Sequence, residues 1–388
     1  NREKNIGSKF FDLMYYINCL DKNMKILIDK NIPYVEHFFQ EHLNDIEYFT
    51  DHDFDISEVA EDSIVITRST YRTHGKRISH AVKFLCSAST GEDHFDKNIL
   101  ENMKIPYAFS SGANAVAVRE YVFSVIALML KEKKINQTSP LLIIGCGNIG
   151  KGVYETLKYF DFNVSSYDPH KPSTNNDDAV EGYSFISLHV PFTTSSESEY
   201  FTENLFYSSK FKSCEDGAII LNTSRGGVVS EKDFVDLDDD HNYIRMISDV
   251  FENEPNINED FLNKNLFATP HIAGHSQFAR YQMTKMAYEN VMNFLGQDIS
   301  ERNSILENRI INFEKNIFDK DMKEFGLPVS LMLETYNPKS DVFNYKDFKK
   351  VRDNYNNRIG YSQATIKGCS EVADRGNLKL LGFTVEEN

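Results

Sequence analysis

Short runs of apolar residues recur along the first 250 residues of the chain and alternate with stretches of helical periodicity. Within each run the apolar positions are continuous, which is typical of strands that are buried on both faces of a parallel sheet. The runs predict strands at 25–28, 63–67, 82–88, 141–144, 163–167, 185–189, 218–222 and 246–250. Strands that alternate with helices predict an α/β fold, whose ligands bind at the carboxyl ends of the strands.

Two helical stretches mark where the domains divide. A stripe of apolar residues predicts an amphipathic helix at 149–160, directly after the fourth predicted strand. An apolar helix at 115–130 precedes that strand, and a complete dinucleotide-binding unit begins only near Leu141. The first 110 or so residues are therefore predicted to form a domain of their own, with residues 1–23 as an N-terminal extension.

Residues 299–388 differ in character from the rest of the chain. They are rich in Asn, Lys, Glu and aromatic residues, with few glycines and no alternation of strands and helices. This composition predicts a third, smaller α+β module. Its aromatic side chains require burial in a core or at a subunit interface. They are Phe313, Phe318, Phe343, Phe348, Tyr355 and Tyr361.

Length and charge narrow the range of partners. A chain of 388 residues exceeds one ordinary domain and fits two or three. Its net charge of −16 argues against a nucleic acid partner, because the phosphates would repel it. A small anionic substrate is compatible with this charge, because a few arginines set the local field. The helix at 115–130 contains Arg119 and Glu120, so its uncharged part is too short to span a membrane.

The five cysteines are scattered and odd in number, and no two have the spacing of a metal site or a redox pair. This usage is typical of a reducing compartment and predicts no metal site. Residues 1–23 lack the basic and then apolar layout of a signal peptide. We therefore expect a cytoplasmic protein that is not attached to a membrane.

A glycine-rich turn follows the fourth predicted strand and reads GCGNIG from Gly145. Gly145 permits the tight turn, Gly147 admits a pyrophosphate close to the backbone, and Gly150 lets the helix pack on the sheet. The next strand ends in Asp168, 18 residues after Gly150. A carboxylate there accepts from the ribose hydroxyls of adenosine and repels a 2′-phosphate, so the pattern predicts NAD rather than NADP.

Three later segments each place a charged residue or a histidine after a strand, on loops that carry glycine or proline. The candidates are Arg225, Glu254 and His271. Hydride transfer from a 2-hydroxy acid needs a base for the hydroxyl proton, a carboxylate beside that base and a cation for the substrate carboxylate. Histidine paired with a carboxylate suits the first two roles, and the planar fork of arginine suits the third.

In combination, the motifs resemble the D-isomer-specific 2-hydroxyacid dehydrogenase family over nearly all of residues 24–298. The motifs are GCGNIG, LHVP, NTSRGG, DVFENEP and TPHIAG, together with Asp168. The resemblance implies that NAD accepts a hydride from a small D-2-hydroxy acid. It also implies that Arg225 binds the substrate carboxylate and carbonyl oxygen, that Glu254 pairs with the histidine, and that His271 is the general acid/base.

The same resemblance implies a fold of two Rossmann-like, doubly wound parallel-sheet domains. A flavodoxin-like substrate domain takes residues 24–112 and 271–298, and an NAD-binding Rossmann domain takes residues 113–270. Val190 stands where a cofactor-contacting threonine is common, which leaves only backbone contacts. The full set of cofactor contacts implied is Gly145, Gly147, Asn148, Ile149, Gly150, Asp168, Val190, Asp249 and Gly274.

Within that family, the chain resembles the branch that oxidises 4-phospho-D-erythronate to 2-oxo-3-hydroxy-4-phosphobutanoate in vitamin B6 synthesis. The similar segments are 67–69, 89–96, 112–122 and 348–358. This resemblance implies that Ser69 and Ser89 contact the phosphorylated, anionic substrate, and that residues 299–388 form a dimerisation domain in a homodimer. His275 stands in place of a substrate-contacting tyrosine. Candidate cations for the substrate phosphate are Arg68, Arg72 and Arg358.

Two other functions remain open at this point. The first is another D-2-hydroxyacid dehydrogenase, for 3-phosphoglycerate or for glyoxylate and hydroxypyruvate. Phosphoglycerate enzymes usually append a different regulatory domain or none, so the C-terminal module argues against it. The second is a non-enzymatic NAD-sensing scaffold on the same fold, which the intact set of Arg225, Glu254 and His271 disfavours weakly. Turnover of any hydroxy acid separates the two classes.

Overall fold

The computed structural model describes residues 24–171, 180–237, 244–355 and 358–386. The predicted N-terminal extension, 1–23, lies outside the described residues. The chain divides into two compact units. Unit 1 contains the described residues up to Asn114 together with Ala279–Leu306, and unit 2 contains Ala115–Phe278 together with the residues from Glu307 onward.

The strands and helices are numbered here in chain order. The strands are β1 Lys25–Asp29, β2 Ile46–Phe49, β3 Ser63–Thr67, β4 Val82–Ser87, β5 Tyr107–Phe109, β6 Leu141–Ile144, β7 Val164–Tyr167, β8 Phe185–Leu188, β9 Ile219–Asn222, β10 Arg245–Ser248, β11 Asn265–Ala268, β12 Arg309–Asn312, β13 Ala364–Lys367 and β14 Thr384–Val385. The helices are α1 Val35–Phe38, α2 Lys97–Asn102, α3 Ala115–Lys131, α4 Gly150–Tyr159, α5 Ser208–Ser213, α6 Glu231–Val235, α7 Glu259–Lys264, α8 Gln277–Leu295, α9 Lys315–Phe325, α10 Val329–Thr335, α11 Phe348–Asp353 and α12 Val372–Leu381.

Unit 1 is built on a parallel sheet with the strand order β2-β1-β3-β4-β5. Successive residues of a strand point to opposite faces, and both faces of this sheet carry a core. Ile26 and Ile64 pack in one core with Val291 of α8, whereas Leu27 and Val65 pack in the other. Burial on both faces explains why these strands are continuously apolar.

Unit 2 contains a second parallel sheet, with the strand order β11-β10-β9-β8-β6-β7. Leu141 and Ile143 enter one core and Leu142 and Ile144 the other, so β6 is also buried on both faces. Strand β7 pairs with β6 on one side, and the next strand, β8, pairs with β6 on the other. A doubly wound sheet opens a crevice for a ligand at such a reversal of strand order. The predicted fold class is confirmed by both sheets.

Helix α3 is the central helix of unit 2. Every residue from Glu120 to Leu130 is buried, which explains why the sequence there is almost wholly apolar. Along the described part of the chain, no helix combines the length and the apolar character that crossing a bilayer requires.

A third, small parallel sheet has the strand order β12-β13-β14 and completes unit 2. Ile366 of β13, and Tyr361 shortly before that strand, share one core with Ile126 of α3. The three-domain boundaries predicted from sequence therefore differ from the two units, since 271–278 and 307–388 both belong to unit 2. The reason is that the C-terminal segment buries its apolar side chains against the NAD-binding part of the chain.

The aromatic residues of the C-terminal segment are accounted for within this chain. Phe318, Phe348 and Tyr361 are buried, and the remaining three pack against the two cores of unit 2. Of the two alternatives predicted for these rings, a core or a subunit interface, the structure shows the first.

Candidate active site

The glycine-rich turn lies at the carboxyl end of β6, at the reversal of strand order. Gly145 has a left-handed backbone with φ of 89°, and a Cβ atom there would collide with the carbonyl oxygen of His189. Its N–H donates to the carbonyl of Tyr167 over 2.8 Å. Only glycine both adopts this left-handed backbone readily and leaves room for the carbonyl of His189. The turn therefore brings the ends of β6, β7 and β8 together.

The tip of this turn is open. Gly147 and Asn148 are exposed, Ile149 is half-buried, and Gly150 is buried at the first residue of α4. A Cβ atom added at Gly147 would meet nothing within 4 Å. Backbone N–H groups at the start of a helix lack partners within the helix, so this tip fits the pyrophosphate of a dinucleotide.

Asp168 follows β7 and lies beside the turn. Its Oδ2 accepts from the N–H of Cys146 over 2.8 Å, and its Oδ1 accepts from the N–H of His170 over 2.9 Å. These bonds fix the carboxylate at the edge of the turn. The position matches the one that a ribose-binding carboxylate occupies in a dinucleotide site.

The residues after β8 border the turn from the other side. Val190 is half-buried, and its Cγ1 would lie 2.9 Å from a Cβ atom on Gly145. The imidazole of His189 is within 2.9 Å of Ser187 Oγ through Nε2, and burial lowers the pKa of His189 to about 3. His189 is therefore a neutral structural residue, and the apolar Val190 presents only its backbone to a polar ligand.

Glu254 and His271 follow the neighbouring strands β10 and β11, and the structure brings them together. His271 Nδ1 lies 2.7 Å from Glu254 Oε2. Glu254 Oε1 accepts from the N–H of Phe251 over 2.9 Å, which fixes the carboxylate. Burial would raise the pKa of Glu254, but the charge and hydrogen bond of His271, the charge of Arg352 and the Phe251 N–H together hold it below its ordinary value.

This geometry defines how the histidine can act. The bond to Glu254 uses Nδ1, so the neutral ring carries its lone pair on Nε2, and that nitrogen can take up a proton. The His271 side chain is 27% exposed, so a ligand can approach it. His271 also has a left-handed backbone, with φ of 56°, an arrangement that is uncommon outside glycine and concentrates at functional sites.

Arg225 lies on the loop after β9, the strand next to β10. Its carbonyl accepts from Asn222 Nδ2 over 3.2 Å, and its Nη1 donates to the carbonyl of Ser224 over 2.8 Å. A Cβ atom on Gly226 would collide with the carbonyl oxygen of Phe251. This close approach joins the arginine loop to the loop that carries Glu254, so the three predicted catalytic residues lie on three consecutive strand ends.

Asp249 is a buried carboxylate at the end of β10. Its Oδ1 accepts from Thr269 Oγ1 over 2.6 Å and from the N–H of Ile272 over 2.7 Å. Its Oδ2 accepts from the N–H of Ala273 over 2.9 Å. Asp249 thus anchors the loop behind His271, next to the buried Gly274. A direct contact between Asp249 and the cofactor stays a prediction, and one acceptor position of the carboxylate remains for it.

The predicted substrate residues Ser69 and Ser89 belong to unit 1. Ser69 is exposed. Ser89 is buried, and its hydroxyl lies 2.7 Å from Ser87 Oγ, which in turn lies 2.8 Å from His94 Nε2. The neighbour of Ser69, Arg68, is neutralised by two carboxylates of unit 1.

Two predicted substrate contacts lie on or beside the His271 loop in unit 2. His275 is half-buried, and its N–H donates to the carbonyl of Ile272 over 2.8 Å. Arg358 is only 7% exposed, and its two terminal nitrogens donate to four backbone carbonyls of unit 2. Both terminal nitrogens are thus occupied inside the protein, which argues against Arg358 as the cation for the substrate phosphate. No group of three or more metal-ligating side chains occurs among the residues that the structure describes.

Comparison with known proteins identifies the family. Residues 127–273 match the family described as "D-isomer specific 2-hydroxyacid dehydrogenase, NAD binding domain". The erythronate-4-phosphate dehydrogenase of Psychromonas ingrahamii is 29% identical over 384 residues, which cover 93% of this chain and 97% of that protein. The one of Acinetobacter baumannii is 32% identical over 294 residues, which cover 72% of this chain and 79% of that protein.

A solved structure agrees at the level of the fold. NAD-bound 3-phosphoglycerate dehydrogenase of Entamoeba histolytica superimposes with a TM-score of 0.56 at 21% identity, covering 73% of this chain and all of that one. The glycine-rich turn and the adjacent carboxylate fit the same cofactor. The chain therefore belongs to the D-isomer-specific 2-hydroxyacid dehydrogenase family and is an NAD-dependent oxidoreductase.

Proposed function

We propose that this protein oxidises 4-phospho-D-erythronate to 2-oxo-3-hydroxy-4-phosphobutanoate, with NAD as the hydride acceptor. The observation that carries the proposal is the 2.7 Å pair of His271 and Glu254, one strand away from the Arg225 loop. The name of the relatives supports the substrate, and one of them matches this chain over 93% of its length. We propose that this reaction is a step in vitamin B6 synthesis.

Three side chains supply the chemistry of this proposal. Arg225 holds the substrate carboxylate with its planar fork. His271 Nε2 takes the proton of the C2 hydroxyl, and the carboxylate of Glu254 stabilises the imidazolium that forms. NAD, when bound, accepts the hydride that leaves C2. The products are the 2-oxo acid, NADH and one proton, which His271 later releases to solvent.

The substrate phosphate requires a cation, and we propose for this role a residue that the sequence did not single out. Arg280 of α8 is half-buried in unit 1 and donates to the carbonyl of Asn31 over 3.4 Å. Burial lowers the pKa of Arg280, and the neighbouring charge of Arg68 lowers it further. Arg68 is already paired with Asp29 and with a second aspartate. Within the described residues Arg280 has no carboxylate partner, so we propose it as the phosphate ligand.

Arg280→Gln tests this assignment. We expect kcat/KM for the phosphorylated substrate to fall by roughly 10–100-fold, because a charge-assisted hydrogen bond is lost. The rate with unphosphorylated D-erythronate, which has no group for Arg280 to bind, should stay near that of the wild type. Arg77→Gln is the matched control, since Arg77 is an exposed arginine of the same unit. An equal loss with both substrates would show that Arg280 does not bind the phosphate.

A panel of hydroxy acids tests the substrate. NADH formation is followed by absorbance with D-erythronate, 4-phospho-D-erythronate, 3-phospho-D-glycerate, D-glycerate, glycolate and the L-enantiomer of the phosphorylated substrate. We expect the highest kcat/KM for 4-phospho-D-erythronate and none for the L-enantiomer. A higher value for 3-phosphoglycerate or glycerate would replace the proposed substrate, and no turnover of any acid would favour the NAD-sensing scaffold.

A homodimer formed through the C-terminal segment is also proposed. Its support is a set of aliphatic side chains that unit 2 leaves uncovered. Val372 is 77% exposed, Ile310 is 58% exposed and Leu380 is 45% exposed. Ile310 lies on β12, which is an edge strand of the small sheet. Exposed aliphatic groups and an unpaired strand edge favour association with a second copy.

We propose the cytoplasm as the compartment. The support is the state of the cysteines: the four that lie in the described part of the chain are all free thiols, and three of them are buried. Free thiols persist in a reducing compartment.

A further inference from the structure

The loop that follows His271 is held from two sides. Asp249 accepts from the N–H groups of Ile272 and Ala273, over 2.7 and 2.9 Å. Arg358 donates to the carbonyls of the same two residues, over 2.8 and 2.6 Å, and to the carbonyl of His275 over 3.1 Å. The Asp249 carboxylate therefore binds N–H groups of this loop, and the Arg358 guanidinium binds its carbonyl groups.

Arg358 is committed to this position by its surroundings. Its guanidinium lies 4.6 Å from the centre of the Tyr336 ring, and it donates to the carbonyl of Ala117 in α3 over 2.7 Å. The backbone also takes part, since the N–H of Gln277 donates to the carbonyl of Arg358 over 3.1 Å. A buried guanidinium is costly unless its donors are satisfied, so its use on carbonyls of the His271 loop points to a positioning role.

A second arginine of the same segment contacts the catalytic carboxylate. Arg352, on α11, places Nη1 3.6 Å from Glu254 Oε2. That oxygen also accepts from His271 Nδ1. The side chains of Arg352 and Glu254 are 29% and 17% exposed, so water screens their attraction only partly. The carboxylate is thus shared between His271 and a cation from the C-terminal segment.

We propose that Arg352 and Arg358 are positioning residues for His271, which makes these two arginines of the C-terminal segment a working part of the active site. Arg358 fixes the backbone that carries the imidazole. Arg352 sets how strongly Glu254 favours the protonated ring. The proposal rests on the proposed role of His271 as the base, and it goes beyond the dimerisation role given to this segment.

The sign of the Arg352 effect follows from the charges around the pair. The negative charge of Glu254 favours the imidazolium form of His271, and the positive charge of Arg352 opposes it. Asp249 also faces His271, and Glu231 faces Glu254. Replacement of Arg352 by a neutral residue leaves the negative charge of Glu254 without this opposing charge. The acidic limb of the pH profile for oxidation should then lie at a higher pH, because the base must be neutral to accept the hydroxyl proton.

The test is the pH dependence of kcat/KM for oxidation in Arg352→Gln, Arg352→Lys and Lys350→Gln. Lys350 is exposed on the same helix, so its variant removes one charge without touching Glu254. We expect the acidic limb of Arg352→Gln to move up by roughly 0.3–1 pH unit. Arg352→Lys should restore it partly, and Lys350→Gln should leave it in place. Glu254→Gln, which removes the opposite charge, should move the limb to lower pH.

An unchanged limb in Arg352→Gln, or an equal shift in Lys350→Gln, would overturn the role of Arg352. Arg358→Lys keeps the charge but loses the fork. We expect it to lower kcat by roughly 10–100-fold while the Kd of NAD stays near that of the wild type. A wild-type kcat in that variant would overturn the role of Arg358, and the Arg352 series decides the proposal if the Arg358 variant does not fold. If the wild type oxidises no hydroxy acid, the proposed function fails instead.

Discussion

His271 combines a fixed tautomer with an accessible nitrogen. Glu254 holds Nδ1 at 2.7 Å, and a second bond to the N–H of Phe251 prevents the carboxylate from turning away. A histidine oriented in this way can serve as a base in oxidation and as an acid in the reverse reaction, because protonation of Nε2 requires no movement of the ring.

Replacement of the histidine tests its role. His271→Asn should lower kcat for oxidation by roughly 10²–10⁴-fold, because the proposed base for the hydroxyl proton is removed. The Kd of NAD, measured by fluorescence titration, should change little because the ring lies outside the glycine-rich turn. A kcat close to that of the wild type would remove His271 from the mechanism.

We propose that Asp168 sets the selectivity for NAD over NADP. Its carboxylate is fixed at the glycine-rich turn through the N–H of Cys146. Asp168→Ala should weaken NAD binding and reduce the preference for NAD over NADP, because the repulsion of a 2′-phosphate is lost. The ratio of kcat/KM for the two cofactors measures this. A wild-type protein that already prefers NADP would contradict the assignment.

At the scale of elements, the sequence pattern found the buried strands and missed strands at the edges of the sheets. The eight strands predicted from apolar runs are all present in the structure. The strands missed in the two large sheets are β2, β5 and β11, and each of them is an edge strand. An edge strand is covered less, so β2 and β5 contain no fully buried residue and show no continuous apolar run.

The parts of the site that the sequence predicts lie on loops directly after strands. Arg225, Glu254 and His271 were found because each follows a strand on a distinctive loop. The sequence did not predict that Asp249 and Arg358 bind the His271 loop from two sides, because Arg358 contacts residues more than 80 positions away. Nothing in the sequence distinguishes an arginine that binds carbonyls in a core from one that binds a phosphate.

The first residue of helix α6 links stability to pH. Burial, with the charges of Glu252 and Glu254, raises the pKa of Glu231 from 4.5 to about 8, although the N–H of Glu252 opposes the shift. Between these values the unfolded carboxyl is ionised and the folded one is protonated. The free energy of unfolding therefore falls as the pH rises from about 4.5 to about 8, and above that range the loss is complete.

Glu231→Gln removes this titration and keeps an acceptor for the N–H of Glu252, which bonds Glu231 Oε1 over 2.7 Å. The variant should gain roughly 2–4 kcal/mol of stability over the wild type at pH 9 and little at pH 4.5. Urea unfolding at both pH values measures the difference. Glu259→Gln, at the exposed start of α7, is the control. A gain that does not depend on pH would contradict the account.

At the scale of the whole molecule, the C-terminal segment from Glu307 onward belongs to unit 2, which also contains His271. Tyr361 and Ile366 share the core of α3, and Arg352 and Arg358 contact the residues around His271. Removal of residues after Gly296 would therefore expose a core as well as any subunit interface. Point substitutions on the exposed surface separate the two effects better than truncation does.

Oligomeric state can be tested with such substitutions. Ile310→Glu and Val372→Glu place charges on the exposed aliphatic groups of the C-terminal segment. We expect the wild type to sediment as a dimer at micromolar concentration and both variants to shift toward monomers, because a charge buried in an interface is costly. Leu43→Glu, at an exposed position of unit 1, should remain dimeric. Wild-type sedimentation of both variants would place the interface elsewhere or exclude it.

The central claim is that a hydride passes from C2 of a phosphorylated D-2-hydroxy acid to NAD while His271 takes the hydroxyl proton. The most direct measurement follows that hydrogen atom, with 4-phospho-D-erythronate deuterated at C2 and NMR of the NADH that forms. The account predicts deuterium at C4 of the dihydronicotinamide, and loss of this transfer in His271→Asn. Deuterium released to water, or NADH formed without the label, would contradict it.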